Sequence, residues 1–397
     1  MQYEDKISIA KMPSDELKKR VVKVQQALAD VQADACVVTT AVNQLYLAGF
    51  IFDGFMFVAP ETEPILFVKR PIDTKGERVE IIRKPEQIGE LLPKYGIEPP
   101  RHLLLENDVM SYNSSLRLQA ALNMPKTGNA SGILRKMRMV KSEYELSLVR
   151  ESARLQNRVY AQVRSIFKPG MTDVGFQIEV EHLLRKTGSQ GIFRCYGENM
   201  DIFMGSVLAG DNATVASPYD FALGGQGLSP VLPLGANGTP LTPGITLMVD
   251  MCGNFTPYQS DMTRSFAIGD VPEIAYRAHQ LSIDIHGEIQ NLAKAGTSCS
   301  ELYGVAEKMT REAGLEAYFM GTVQQAKFIG HGVGLEINEP PVLTPKSKDL
   351  LSPGMVIAIE PKYVLQGIGA VGIENTYIVH ESGLEKITLC EESLVKL

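Results

Sequence analysis

Apolar residues recur at helical spacing over residues 14–32, where Leu17, Val21, Val24 and Leu28 share one face and Ser14 is the expected N-cap. Runs rich in β-branched and aromatic residues at 35–40, 55–59 and 65–68 predict strands. Helix and strand alternate to about residue 135, which predicts an α/β domain. Near 140 the pattern changes. Ser142-Glu-Tyr-Glu145 is a capping box, and a long helix follows to about Phe167, closed by Pro169-Gly170. A second helix runs from about Thr172 to Thr187 and stops at Gly188. A strand-rich region comes next. Pro272 then opens a helix to about Ala295, and another runs from Ser300 to Ala313 before Gly314. Each helix pair precedes a strand-rich part, so residues 139–397 read as a duplicated α+β unit behind a smaller domain at 1–138.

The strand-rich parts carry the chemistry. Ile245-Thr-Leu-Met-Val-Asp250 is an apolar run ending in an acid, and a turn-prone segment with Gly253, Asn254 and Pro257 leads to Asp261. A hairpin turning between Phe255 and Thr256 puts Asp250 opposite Asp261, with Cβ atoms ~5 Å apart. Gly354-Met-Val-Ile-Ala-Ile-Glu360 repeats the pattern, and a turn centred on Gly367 puts Glu360 opposite Glu374. Like charges so opposed destabilise unless a cation lies between them. Between the hairpins stands Gly330-His331-Gly-Val-Gly334. Four ionised carboxylates and a neutral imidazole are balanced by two divalent cations. The competing reading is a buried salt-bridge network, but Arg264 and Lys362, the nearby cations in sequence, suffice for one or two acids.

Length and composition narrow the class. The chain has 397 residues, 44% apolar and 21% charged, as expected of a soluble multidomain protein. A net charge of −7 argues against a general nucleic-acid or membrane binder. No long apolar run and no basic-then-apolar start is present, which predicts a cytoplasmic location. The five cysteines are scattered and form no C-x-x-C, so they read as reduced thiols; Cys252 lies two residues after Asp250. Asp53 and Asp73 stand alone and read as solvated surface. Gly224-Gly-Gln-Gly227 lacks a phosphate-loop pattern and reads as a flexible loop.

Asp250, Asp261, His331, Glu360 and Glu374, in the contexts V-D, S-D-x-T-R, G-H-G-x-G, I-E-P and G-I-E-N-T, resemble the ligand set of the pita-bread metallopeptidases (M24-type), which include methionine aminopeptidase, aminopeptidase P and prolidase. Residues 1–135 are similar to the creatinase-type N-terminal domain of the aminopeptidase P and prolidase branch. The resemblance implies a curved antiparallel sheet in the catalytic domain. It implies a dinuclear hydrolase of the Xaa-Pro aminopeptidase or prolidase kind that cleaves an amide bond of a small peptide. Asp250 would chelate one metal, His331 and Glu360 the other, and Asp261 and Glu374 would bridge them. A water held between the ions would lose its proton and attack, with Glu360 shuttling the proton. Oxygen donors and one imidazole suit Mn²⁺, with Co²⁺, Zn²⁺ or Fe²⁺ as substitutes. A homodimer is implied as well. Thr263 and Arg264 would orient the carboxylates, while Glu336 and Glu339 read as solvated or outer acids.

The chain departs from the peptidases in the residues that handle substrate. Where they carry a second histidine in G-H-G-x-G-x-x-x-H-E, this chain has Asn338; where they carry P-H-G, it has Leu234; their V-R-I-E arginine is Gly372. The other histidines, at 102, 182, 279, 286 and 380, offer no evident substitute. Asn338, Leu234 and Tyr258 are the expected substrate-facing residues. Asn338 can donate a hydrogen bond but cannot supply a proton. Three outcomes are open at this point: a peptidase; a hydrolase of a non-peptide C–N bond, as in creatinase or ectoine hydrolase, or a lyase; and a peptide-binding relative without catalysis.

Overall fold

In a computed structural model of the chain, residues 12–197, 203–219 and 221–397 are described. The described chain divides after Arg138 into two compact units.

The first unit contains α1 (Ser14–Asp30), β1 (Ala35–Val38), α2 (Ala41–Ala48), β2 (Asp53–Val58), β3 (Ile65–Arg70), β4 (Val79–Ile81), α3 (Glu86–Leu91), β5 (His102–Leu105), α4 (Tyr112–Ala121), β6 (Lys126–Asn129) and α5 (Ser131–Met139). Its strands form one mixed sheet in the order β4-β3-β2-β1-β5-β6. Helix α1 begins at Ser14 itself, with Pro13 in the cap position. Glu106 is a buried acid of this unit, and its carboxylate accepts hydrogen bonds from Thr40 N and Thr40 Oγ1 and from Asn43 Nδ2 at 2.8, 2.6 and 2.6 Å. It satisfies the first turn of α2, a structural role.

The second unit is built twice over. Its first half holds α6 (Glu143–Ile166), α7 (Asp173–Thr187), β7 (Gly205–Ala209), β8 (Thr246–Gly253) and β9 (Ser260–Ala267). Its second half holds α8 (Glu273–Leu292), α9 (Cys299–Glu312), β10 (Gly330–Gly332), β11 (Glu339–Val342), β12 (Val356–Ile359), β13 (Lys362–Leu365), β14 (Gly369–Gly372), β15 (Asn375–His380) and β16 (Gly383–Lys386), and β17 (Val395–Lys396) closes the chain. The Ser142–Glu145 capping box starts α6 as expected, and Gly188, in the left-handed region at φ 111°, ends α7. Val159 and Val163 of α6 pack with Phe176 and Val180 of α7 against Val207, Val249 and Met262. Ile285, Ile289, Leu302 and Ala306 do the same for Ile357, Ile359 and Tyr377 in the second half. Each helix pair thereby buries the apolar face of its own sheet, β17-β9-β8-β7 or β11-β10-β12-β15-β16.

Threonines join the two sheets. Asp261 N donates to Thr376 Oγ1 at 2.8 Å, Thr376 Oγ1 donates to Asp261 O at 2.7 Å, and Glu374 N donates to Thr263 O at 3.1 Å. The seam runs through two of the four acids. The run at 224–227 is a loop held in place, with Gly227 N on Gly235 O and Gln226 N on Asn212 Oδ1.

Candidate metal centre

The first acid hairpin differs in register from expectation. Asp250 pairs with Thr263 and Asp261 with Cys252, a slip of two residues from Asp250 opposite Asp261. Tertiary anchoring explains it. Thr256 N donates to Ser152 Oγ at 3.1 Å and Ser152 Oγ donates to Tyr258 O at 2.7 Å, so helix α6 fixes the turn. A slip of two keeps every side chain on its face. Asp250 and Asp261 remain diagonal neighbours on the surface they would have shared as a direct pair.

The second hairpin keeps the expected register. Ile359 pairs with Asn375 in one ladder and Lys362 with Gly372 in the next, so Glu360 and Glu374 face each other at the break between them. His331 enters from β10, which pairs with β12. Its Nδ1 hydrogen-bonds to Gly332 O at 3.2 Å, which sets the tautomer and leaves the Nε2 lone pair pointing at the acids. Nε2 lies 3.5 Å from Glu360 Oε1, 3.8 Å from Glu374 Oε1 and 3.9 Å from Asp261 Oδ2. Four negative or lone-pair atoms within one small space repel one another unless a cation sits among them. Glu374 Oε1 is buried without a hydrogen-bond partner, an expensive state that a metal ligand resolves. Asp261, His331 and Glu374 thus fit a divalent ion, with Glu360 Oε1 beside them.

The other three-acid group is Asp250, Glu360 and Glu374. Here the structure supplies its own cation. Lys362 Nζ donates to Asp250 Oδ2 at 2.8 Å, Glu360 Oε2 at 2.6 Å and Glu374 Oε2 at 3.3 Å. Sequence proximity suggested one or two partners; the lysine has three. A second metal ion does not fit among these oxygens while the ammonium is there. Arg264 goes elsewhere: its guanidinium donates to Thr263 O, Glu374 O and Asn375 Oδ1, orienting the backbone that carries Glu374.

The electrostatics follow the geometry. Burial, then the charges of Asp250 and Glu360, raises the Asp261 carboxyl well above its usual range. Burial, then Asp261 and Glu360, does the same to Glu374. Burial alone would lower the Lys362 ammonium, but Asp250, Glu360 and Glu374 overturn this and raise it. A divalent ion would reverse the direction at both acids.

The expected substrate residues are less free. Asn338 Oδ1 accepts from Tyr196 N and its Nδ2 donates to Tyr196 O, both at 2.7 Å. Tyr258 is buried and its hydroxyl donates to Glu145 Oε1. Leu234 is buried in the loop that includes Gly227 and Gly235. Glu339, read as an outer acid, is fully buried and paired with Lys141 at 3.0 Å. Cys252 lies across from Asp261 and its thiol donates to Gln259 Oε1. His279 and His286 are buried behind the Gly372–Glu374 segment, with His279 Nδ1 accepting from Gly372 N and His286 Nε2 donating to Ile373 O.

Residues 147–381 match the family model for Metallopeptidase family M24, and residues 20–140 match the Creatinase/Prolidase N-terminal domain. A curated Xaa-Pro dipeptidase of Pyrococcus horikoshii is 22% identical over 385 residues, covering 96% of this chain and 100% of that protein. Among solved structures, the Xaa-Pro dipeptidase from Bacillus anthracis superposes with a TM-score of 0.80 at 22% identity, covering 96% of this chain and 100% of that one. The X-Pro aminopeptidase from Thermotoga maritima gives a TM-score of 0.78 at 20% identity, covering 95% and 99%.

Proposed function

Because the chain belongs to metallopeptidase family M24, we propose that it is a divalent-metal-dependent hydrolase that cleaves an amide bond of a small peptide, of the Xaa-Pro kind named for its relatives. One observation carries this: Asp261, His331, Glu360 and Glu374 turn three oxygens and one nitrogen, 3.5–3.9 Å from that nitrogen, toward a common point. When bound there, a divalent ion supplies Lewis-acid polarisation and acidifies water. The donor set favours a hard or borderline ion, with Mn²⁺ first.

The chain's own residues do the rest. Thr263 Oγ1 donates to Glu374 Oε2 at 2.8 Å and holds that carboxylate in place. Glu360, with one oxygen on Lys362 and the other toward His331, is the acid placed to take up and return a proton. A cytoplasmic homodimer accompanies this reading, which implies no nucleic-acid or membrane partner.

The test is turnover of Xaa-Pro dipeptides and longer Xaa-Pro peptides by protein reconstituted with Mn²⁺, Co²⁺, Zn²⁺ or Fe²⁺. Hydrolysis that disappears in Asp261→Asn supports the proposal; no hydrolysis with any of the four metals refutes it. A second reading, a hydrolase of a non-peptide C–N bond, draws on Asn338 and Leu234. One has its amide taken by Tyr196 and the other is apolar, so neither delivers a proton to a peptide leaving group. Metabolites that accumulate with Asp261→Asn and vanish with wild type would favour it.

A further inference from the structure

The lysine at the centre of the acids changes the metal count. We propose that Lys362 permanently takes the place of one cation, so that the chain holds a single divalent ion among Asp261, His331, Glu360 and Glu374, and Asp250 serves the ammonium rather than a metal. This rests on the reading above that the centre holds metal at all.

Three observations carry it. The first is steric. Divalent ions lie about 2.0–2.6 Å from oxygen ligands, and Lys362 Nζ lies 2.6–3.3 Å from one oxygen each of Asp250, Glu360 and Glu374. Both centres would fall in the same volume. The second is stoichiometric. An ammonium has three N–H donors, and each has a carboxylate of its own. The side chain has no exposed surface. The third is the division of labour within Glu360 and Glu374. Each turns Oε2 to Lys362 and Oε1 to His331. Each carboxylate thus spans an ammonium and an ion position as it would span two ions.

The charge count agrees. Four carboxylates and one ammonium leave three negative charges, and one divalent ion leaves one. The partner of Lys362 across the ladder is Gly372. At Gly372, φ is 133°, and a Cβ would meet Pro361 O at 2.6 Å and Lys362 Cα at 3.0 Å. The strand opposite Lys362 therefore brings no side chain against it at this position.

The experiment is metal stoichiometry, by elemental analysis after equilibrium dialysis against Mn²⁺, on full-length wild type, Asp250→Asn, Asp261→Asn and Lys362→Gly, together with Mn²⁺ electron paramagnetic resonance. The expected result is one ion per wild-type chain with an uncoupled spectrum. Asp250→Asn should leave that count unchanged and Asp261→Asn should abolish it. Lys362→Gly should double it and give an exchange-coupled spectrum. Two ions per wild-type chain, loss of the single ion in Asp250→Asn, or a folded Lys362→Gly that still holds one would each overturn the inference while leaving a metal hydrolase standing. If Lys362→Gly fails to fold, Asp250→Asn decides. A wild type that takes up no ion would overturn the functional proposal itself, and this inference with it.

Discussion

Replacing Lys141 by methionine should unfold the catalytic unit far more readily. Lys141 and Glu339 have no exposed side-chain surface and their charges are 3.0 Å apart. At an effective dielectric constant of about 20, that separation corresponds to an attraction of roughly 5 kcal/mol. Methionine fills the space but takes the ammonium away from the Glu339 carboxylate, whose backbone donors include Leu335 N, at 3.1 Å, and Glu336 N, at 3.3 Å. Removing one partner of a buried pair costs about 3–5 kcal/mol, which for a unit of this size lowers Tm by on the order of 10 °C. The chain has no tryptophan, so urea and thermal unfolding are followed by far-ultraviolet circular dichroism and tyrosine fluorescence. The double variant Lys141→Met/Glu339→Gln removes both charges yet keeps a carbonyl oxygen for Leu335 N and Glu336 N, and should recover most of the loss. A single variant within about 1 kcal/mol of wild type, or a double variant no more stable than the single, would refute the reasoning.

Two further outcomes follow from the same contacts. Burial lowers His279 and His286 from 6.5 to about 4. Between those values the unfolded imidazoles bind more protons than the folded ones, so their contribution to stability is flat above pH 6.5 and falls as pH drops toward 4. At pH 5 the two together should cost about 4 kcal/mol, and His286→Gln should remove roughly half of the pH dependence measured by urea titration. Thr263→Val deletes the hydroxyl donor to Glu374 Oε2 without changing shape, and should weaken Mn²⁺ affinity about 10-fold or more by calorimetry with little change in Tm; unchanged affinity would show that Thr263 does not orient the ligand.

What the chain reveals in one dimension depends on how local the cause is. The capping box at Ser142–Glu145, the glycine stops and the spacing of Leu17, Val21, Val24 and Leu28 are local, and the helices lie close to where those signals place them. Motif contexts around the four acids and His331 are local too. The pairing of Asp250 was not legible, because Ser152, more than a hundred residues away along the chain, holds the turn. Nor was the role of Lys362. Its place in the sequence, with Arg264, allowed pairing with one or two of the acids, but enclosure by Asp250, Glu360 and Glu374 arises only when both hairpins fold against each other. Asn338 reads as a free donor until the backbone of Tyr196 takes both ends of its amide.

The account turns on where a cation sits. Crystals grown with Mn²⁺ and measured at the manganese absorption edge should show one anomalous peak per chain, bounded by Asp261, His331, Glu360 and Glu374, with Lys362 still bonded to Asp250. No peak there, or a peak in the place occupied by the Lys362 ammonium, would contradict it.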